Sequence, residues 1–224
     1  MQLSERTSQL LKNFSSINQS VIIRRGNTLS TMSQQKTILA KATIPDTFEK
    51  DMCIYDLSQF LSVLSIFTSP QLELEEKSVM IHDDTKSSRY FFADESLIVQ
   101  PPTKELNMQN AEIEFNLPYQ ALSGILKATN ILAVPEIAFV GEGGKLYLRA
   151  VDSKNPTSHT LSHALGDIDS EFCAIFKPEF LSKLIDTDYS VLISSKKISR
   201  FSAVDKNSGA ELTYWITVEA SSTF

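Results

Sequence analysis

The chain has 224 residues, 42% of them hydrophobic and 21% charged, with a formal net charge of -6 and a mean hydropathy of -0.09. That length holds one large or two small globular domains. No apolar run nears the roughly 20 residues a spanning helix needs, and Met1–Arg6 lacks a charged-then-apolar leader, so the expectation is a cytosolic protein. The acidic balance argues against tight, nonspecific binding of nucleic acid through a generally basic surface, but leaves a local basic surface open.

In chain order, residues 4–17 place Leu10, Leu11, Phe14 and Ile17 at helical spacing, with Ser4 as N-cap and Glu5 at the positive end of the dipole. Strands are expected at 21–25, 29–32 and 37–42, with a turn at Gly26-Asn27, and Met52–Tyr55 reads as a short buried strand. Asp56-Leu57-Ser58-Gln59 has capping-box form and predicts a helix through Phe67 with Leu57, Phe60, Leu61 and Leu64 inward. Strands are expected at 72–76, 79–82 and 89–93. Paired prolines in Leu97–Leu106 mark a connector, which divides the chain into domains at 1–98 and 111–224 with 99–110 between them.

The second half follows the same order. Glu112–Leu117 alternates as a half-buried strand, and Pro118 opens a helix to about Ile131. Strands 137–140 and 146–151 flank Gly141-Glu142-Gly143-Gly144, read as a hairpin turn, and 158–165 and 172–176 follow. Pro178 opens a helix to Ile185, and strands 189–194, 198–204 and 212–219 close the chain, with Leu212, Tyr214, Ile216 and Val218 on one face. Two near-repeats tie the halves together. Phe60-Leu61-Ser62-Val63-Leu64 returns as Phe180-Leu181-Ser182-Lys183-Leu184 at an offset of 120, and Ser8–Lys12 matches Ser123–Lys127 at an offset of 115. Cys53 and Cys173 precede the repeated helix in each half and read as reduced, equivalent core positions. One supersecondary unit used twice, with two helices on an antiparallel sheet, is an α+β plan built for symmetry.

No motif here spells out catalysis. His159 and His163 lie four apart and share a strand face, yet no third ligand stands at useful spacing, so a metal-dependent enzyme is a rival reading. The Gly141–Lys145 segment leads into a strand, whereas a phosphate loop must open a helix. Asp83-Asp84 reads as a solvated turn. Arg6, Lys12, Lys127 and Lys183 all fall on predicted helices while acids gather at strand edges and turns. They are either ordinary solvated helix faces or a surface turned to a polyanion.

The opening Leu3-Ser4 with Leu10-Leu11-Lys12-Asn13-Phe14 and Ile17-Asn18, the Ile54-Tyr55-Asp56-Leu57 helix start with Phe60-Leu61 and Leu64-Ser65, and the closing Val218-Glu219-Ala220 with Ser222-Thr223-Phe224 resemble the DNA polymerase sliding clamps of T-even-type bacteriophages. The resemblance implies two clamp domains per chain, with helices inside and sheets outside a pseudo-sixfold homotrimeric ring around duplex DNA. It implies a non-enzymatic processivity factor without cofactor, acting in the infected host's cytoplasm with the phage polymerase and an ATP-driven clamp loader, and serving late transcription as a further use. The DNA-facing candidates are then Arg6, Lys12, Lys127 and Lys183. By the family's pattern the subunit joint pairs residues 89–93 with 158–165 of a neighbour, which involves Arg89, Phe91, His159, Leu161 and His163. Partner peptides would insert near the connector at Val99, Pro101, Leu106 and Met108, residues that serve connector packing equally well. A shell or adaptor protein of a phage particle is the third reading.

Overall fold

A computed structural model describes residues 1–102, 106, 108, 111–204 and 210–224, in two compact units: Met1–Glu105 with Val204–Leu212, and Leu106–Ala203 with Thr213–Phe224. The expected connector falls partly on residues 103–105, 107 and 109–110, which lie outside the described set.

In the first unit, α1 (Glu5–Ser15) begins where Ser4 Oγ accepts the Thr7 amide at 3.2 Å and donates to Asp46 at 2.8 Å, which holds the cap in place. Leu10, Leu11 and Phe14 form its fully buried stripe, each contributing about 2 kcal/mol by leaving water. The strands β1 (Val21–Ile23), β2 (Gly26–Met32), β3 (Ile38–Phe48) and β4 (Met52–Ile54) follow, with β1 paired to β4 and β2 to β3. β3 runs beyond the expected end at Ala42, through Pro45. The β2–β3 register jumps between Gly26 and Thr28, which pair with Phe48 and Thr43, so Pro45 falls in a bulge where β2 asks for no ladder bond. Asp56 caps α2 (Leu57–Leu64) by accepting the Gln59 amide at 2.8 Å. This helix ends three residues before the predicted Phe67. β5 (Gln71–Leu74), β6 (Ser78–His82) and β7 (Ser87–Phe91) form a meander with β7 at its edge.

The second unit repeats this order after an extra leading strand, β8 (Ile113–Leu117). The helix α3 (Tyr119–Leu132) has no capping side chain of its own at Pro118, and Asp188 instead accepts the Tyr119 amide at 2.8 Å. A sheet in the order β11-β10-β9-β12 follows, from β9 (Glu136–Glu142), β10 (Lys145–Val151), β11 (Leu161–Asp167) and β12 (Phe172–Phe176). Gly141 and Glu142 belong to β9, so the expected four-residue turn shrinks to Gly143-Gly144, both at positive φ as a two-residue primed turn requires. The helix α4 (Pro178–Leu181) is a single turn rather than the predicted span to Ile185. The amides of Lys183 and Leu184 bond back only three residues, and Ser182 Oγ takes the Glu179 carbonyl. The strands β13 (Tyr189–Ser194), β14 (Ile198–Val204) and β15 (Glu211–Thr217) complete the order β8-β13-β14-β15. Phe139 is the hub of this unit's core, with ring centroids 5.0 Å from Phe115 and 5.6 Å from Phe176.

Glu112 fastens the start of the second unit to the β13–β14 turn, accepting the Ser195 hydroxyl at 2.7 Å and the Ser195 amide at 3.0 Å. These bonds push its carboxyl from the ordinary 4.5 down to about 2, the hydroxyl contributing most. A depressed carboxylate adds stability above its unfolded pKa, and that stability is lost as pH falls through the folded value. Between about pH 4.5 and pH 2 the wild-type unfolding midpoint should therefore drop more steeply than that of Glu112→Gln, with the two curves nearly parallel above pH 5. A pH series of thermal melts reads the difference.

Candidate clamp surfaces

The duplication seen in sequence is also a duplication of surface. On α1 the residues Glu5, Gln9 and Lys12, with the C-cap Ser16, are all exposed and lie along one side; 115 positions on, Gln120, Gly124, Lys127 and Ile131 do the same on α3. Lys12 and Lys127 therefore occupy one register position on equivalent helix faces. The other two basic candidates differ. Arg6 is half-buried, and its Nε has no acceptor among the described residues. Lys183, expected on a helix, lies half-buried in the turn that follows α4. α2 carries no basic residue; Ser58, Ser62 and Ser65 line its side of a cleft of about 620 Å³ against Ser8, Lys12 and Ser15 of α1.

Among the described residues, each unit also has an edge strand with exposed side chains, β7 in the first and β11 in the second. On β7, Ser87, Arg89 and Phe91 are exposed, with Phe91 at 69%. The alternate residues turn inward: the Tyr90 ring packs edge-on against Phe60 at 5.2 Å, and its hydroxyl donates to the Asp56 carbonyl at 3.1 Å. On β11 only Leu165 is half-buried; Leu161, Ser162, His163 and Ala164 are exposed on both faces. The strand starts at Leu161 rather than Ser158, so His159 precedes it. Arg149 of β10 steadies this edge, donating from Nε to Ser162 Oγ at 3.2 Å while its guanidinium also bonds Glu142. Among the described residues no three His, Cys, Asp or Glu side chains gather in metal-binding geometry, and His163 has no such company. Cys53 and Cys173 are half-buried, and burial pushes both thiols above their ordinary range.

Near the expected connector, Val99 and Pro101 are half-buried, Leu106 is exposed and Met108 is buried. Arg24 braces the approach, with Nη1 2.7 Å from Asp51, Nη2 2.5 Å from Glu95 and 2.6 Å from Gln100 Oε1; Glu95 first and Asp51 second hold the guanidinium charged.

The structure adds a pair that spacing along the chain did not reveal. The Val218 amide donates to the Lys197 carbonyl at 3.0 Å and Ser199 Oγ to the Ile216 carbonyl at 2.8 Å, a register that sets Arg200 beside Trp215 on neighbouring strands. Both stand on the sheet face opposite the buried Leu212, Tyr214 and Ile216. Arg200 Nε and Trp215 Nε1 are shielded from water and have no acceptor among the described residues. The available signal was the chain's only tryptophan standing on the polar face of an amphipathic strand.

Duplicated helix pairs on antiparallel sheets, with free strand edges, define a DNA-clamp fold, and solved structures share it. PCNA from A. fulgidus, solved with the C-terminal region of FEN-1 bound, superposes with a TM-score of 0.73 over 99% of this chain and 98% of that one at 11% identity. Residues 4–100 match the DNA polymerase processivity factor family. The sliding clamp of Vibrio phage KVP40 is 32% identical over 98% of this chain and 100% of its own length, and that of Enterobacteria phage T4 is 28% identical over 100% and 99%. The chain belongs to the phage sliding-clamp family, the processivity factors of phage DNA replication. Among the described residues no helix is long and apolar enough to cross a membrane.

Proposed function

We propose that three copies of this chain close a ring around duplex DNA, each joint formed by β7 of one subunit pairing with β11 of the next. The observation that carries this reading is that, among the described residues, β7 of one unit and β11 of the other are edge strands bearing Phe91 and Leu161 in the open. Free edges are liabilities that proteins cover, and ring closure pairs these two in every subunit at once. Arg89, Phe91, Leu161 and His163 stand at the joint and His159 beside it. Lys12 and Lys127, with Arg6 and Lys183 behind them, face the duplex. Topology holds the DNA, so a few lysines meeting phosphates through water suffice, and the net charge of -6 is no obstacle.

The ring tethers the phage polymerase in the host cytoplasm, is opened by an ATP-driven loader, and performs no chemistry of its own. Partners bring a short peptide to the connector residues Val99, Pro101, Leu106 and Met108; separately, the waiting N–H donors of Arg200 and Trp215 suit a peptide carbonyl or carboxylate. A terminal segment bound to the A. fulgidus clamp supports that mode. Late transcription would be a further use of the same ring.

Light scattering across a dilution series tests the ring. Three copies of the 25.0 kDa chain give about 75 kDa. A mass of 25.0 kDa at every concentration would count against closure and, with it, against topological tethering.

A further inference from the structure

We propose that Gly124 is the point where the backbone of the enclosed duplex comes closest to this protein, with Lys127, one turn along, as the cation that meets it. The inference rests on the reading above that α1 and α3 face DNA, and goes beyond it by ranking the two helices.

Gly124 sits in the middle of a 14-residue helix, where glycine loosens the backbone relative to alanine. Among the described residues no packing contact accounts for it. A Cβ built there meets no atom within 4 Å, and Gly124 is not among the glycines at positive φ. The same register position on α1 carries Gln9, so the duplicated unit does not require a glycine. A residue that breaks a local rule with no return in packing marks a functional constraint.

The surroundings fit an approaching phosphodiester strand. Gln120, Gly124, Lys127 and Ile131 present one cation and no carboxylate, whereas the matching α1 face carries Glu5 with Lys12. Ile131, 81% exposed, closes the face without a second charge. Lacking Cβ, the helix lets a sugar–phosphate chain lie against its backbone, a contact that includes Cα–H to oxygen, and brings a phosphate within easy reach of the Lys127 ammonium. Three such contacts per ring would seat the duplex on α3 rather than equally on α1 and α3.

The test measures two properties of the full chain. Gly124→Ala and Gly124→Gln, the latter copying α1, are compared with Lys127→Ala and Lys12→Ala. Thermal melting reports stability, and anisotropy of a short blunt-ended fluorescent duplex, titrated at several salt concentrations, reports threading onto DNA. Gly124→Ala should raise the melting temperature by about 3 °C yet weaken association about threefold, with Gly124→Gln weaker still. Lys127→Ala should lower the salt slope by up to about 3, one phosphate per subunit, and do so more than Lys12→Ala. If Gly124→Ala raises the melting temperature and leaves association untouched while Lys127→Ala weakens it, the close approach is overturned and the DNA-facing reading stands. If none of the four variants changes association, both fall.

Discussion

Phe91→Asp should reduce the assembly from about 75 kDa to the 25.0 kDa chain at concentrations where the wild type is fully closed. Phe91 is 69% exposed at the end of β7, beyond the Tyr90 ring that anchors the strand to α2, so the subunit's own core does not depend on it. In a closed joint the same side chain leaves water. A carboxylate put there without a partner costs about 3 kcal/mol, after relaxation and water entry, which weakens each joint more than a hundredfold.

Leu161→Asp on β11 should give the same monomer from the other side of the joint, and Phe91→Leu should stay trimeric because shape and apolarity survive. Because the two residues serve one joint, the double Asp variant should be no more dissociated than either single one in the range where both are monomers. Far-ultraviolet circular dichroism and the unfolding midpoint separate loss of the joint from loss of the fold. A Phe91→Asp protein that remains near 75 kDa would place closure on other strands.

How much of this was readable from sequence follows the range of the forces involved. The helix stripe Leu10, Leu11, Phe14 and the repeat at Phe60 and Phe180 were legible because helical packing writes itself at short spacing. The length of α4 was not, because its apolar pattern continues to Ile185 while the backbone tightens after Leu181. The end of β3 was not legible, because it runs on through Pro45, which cannot donate to a ladder and is accommodated only by the register shift between Gly26 and Thr28. Trp215 and Arg200 became neighbours only through the cross-strand register, which no spacing along a single strand encodes. The exposure of Lys12 and Lys127 in one register position could be read from the repeat. The withdrawal of Arg6 could not, since it depends on how deeply α1 sits against the sheet.

Gly141→Ala should be the most damaging alanine substitution among the described glycines, lowering stability by about 3 kcal/mol, the upper end of overpacking costs. The new Cβ would stand 2.1 Å from the Ser170 carbonyl oxygen and 2.7 Å from the Phe172 ring. Neither can yield cheaply: Gly141 pairs with Leu146 on one side and Phe172 on the other, so β9 is clamped between β10 and β12, and the obstructing oxygen belongs to backbone. The same substitution at Gly124, in open space, should stabilise, so two glycines in one unit respond with opposite sign. The damage should also reach assembly. β11 hangs on β10, and β10 on β9, so a distorted β9 displaces the edge that meets β7 of the neighbour. Urea unfolding should show the lower midpoint. Light scattering should show dissociation at concentrations where Gly124→Ala stays closed, and a Gly141→Ala trimer as stable as the wild type would mean that the segment from Ser170 to Phe172 moves aside without cost.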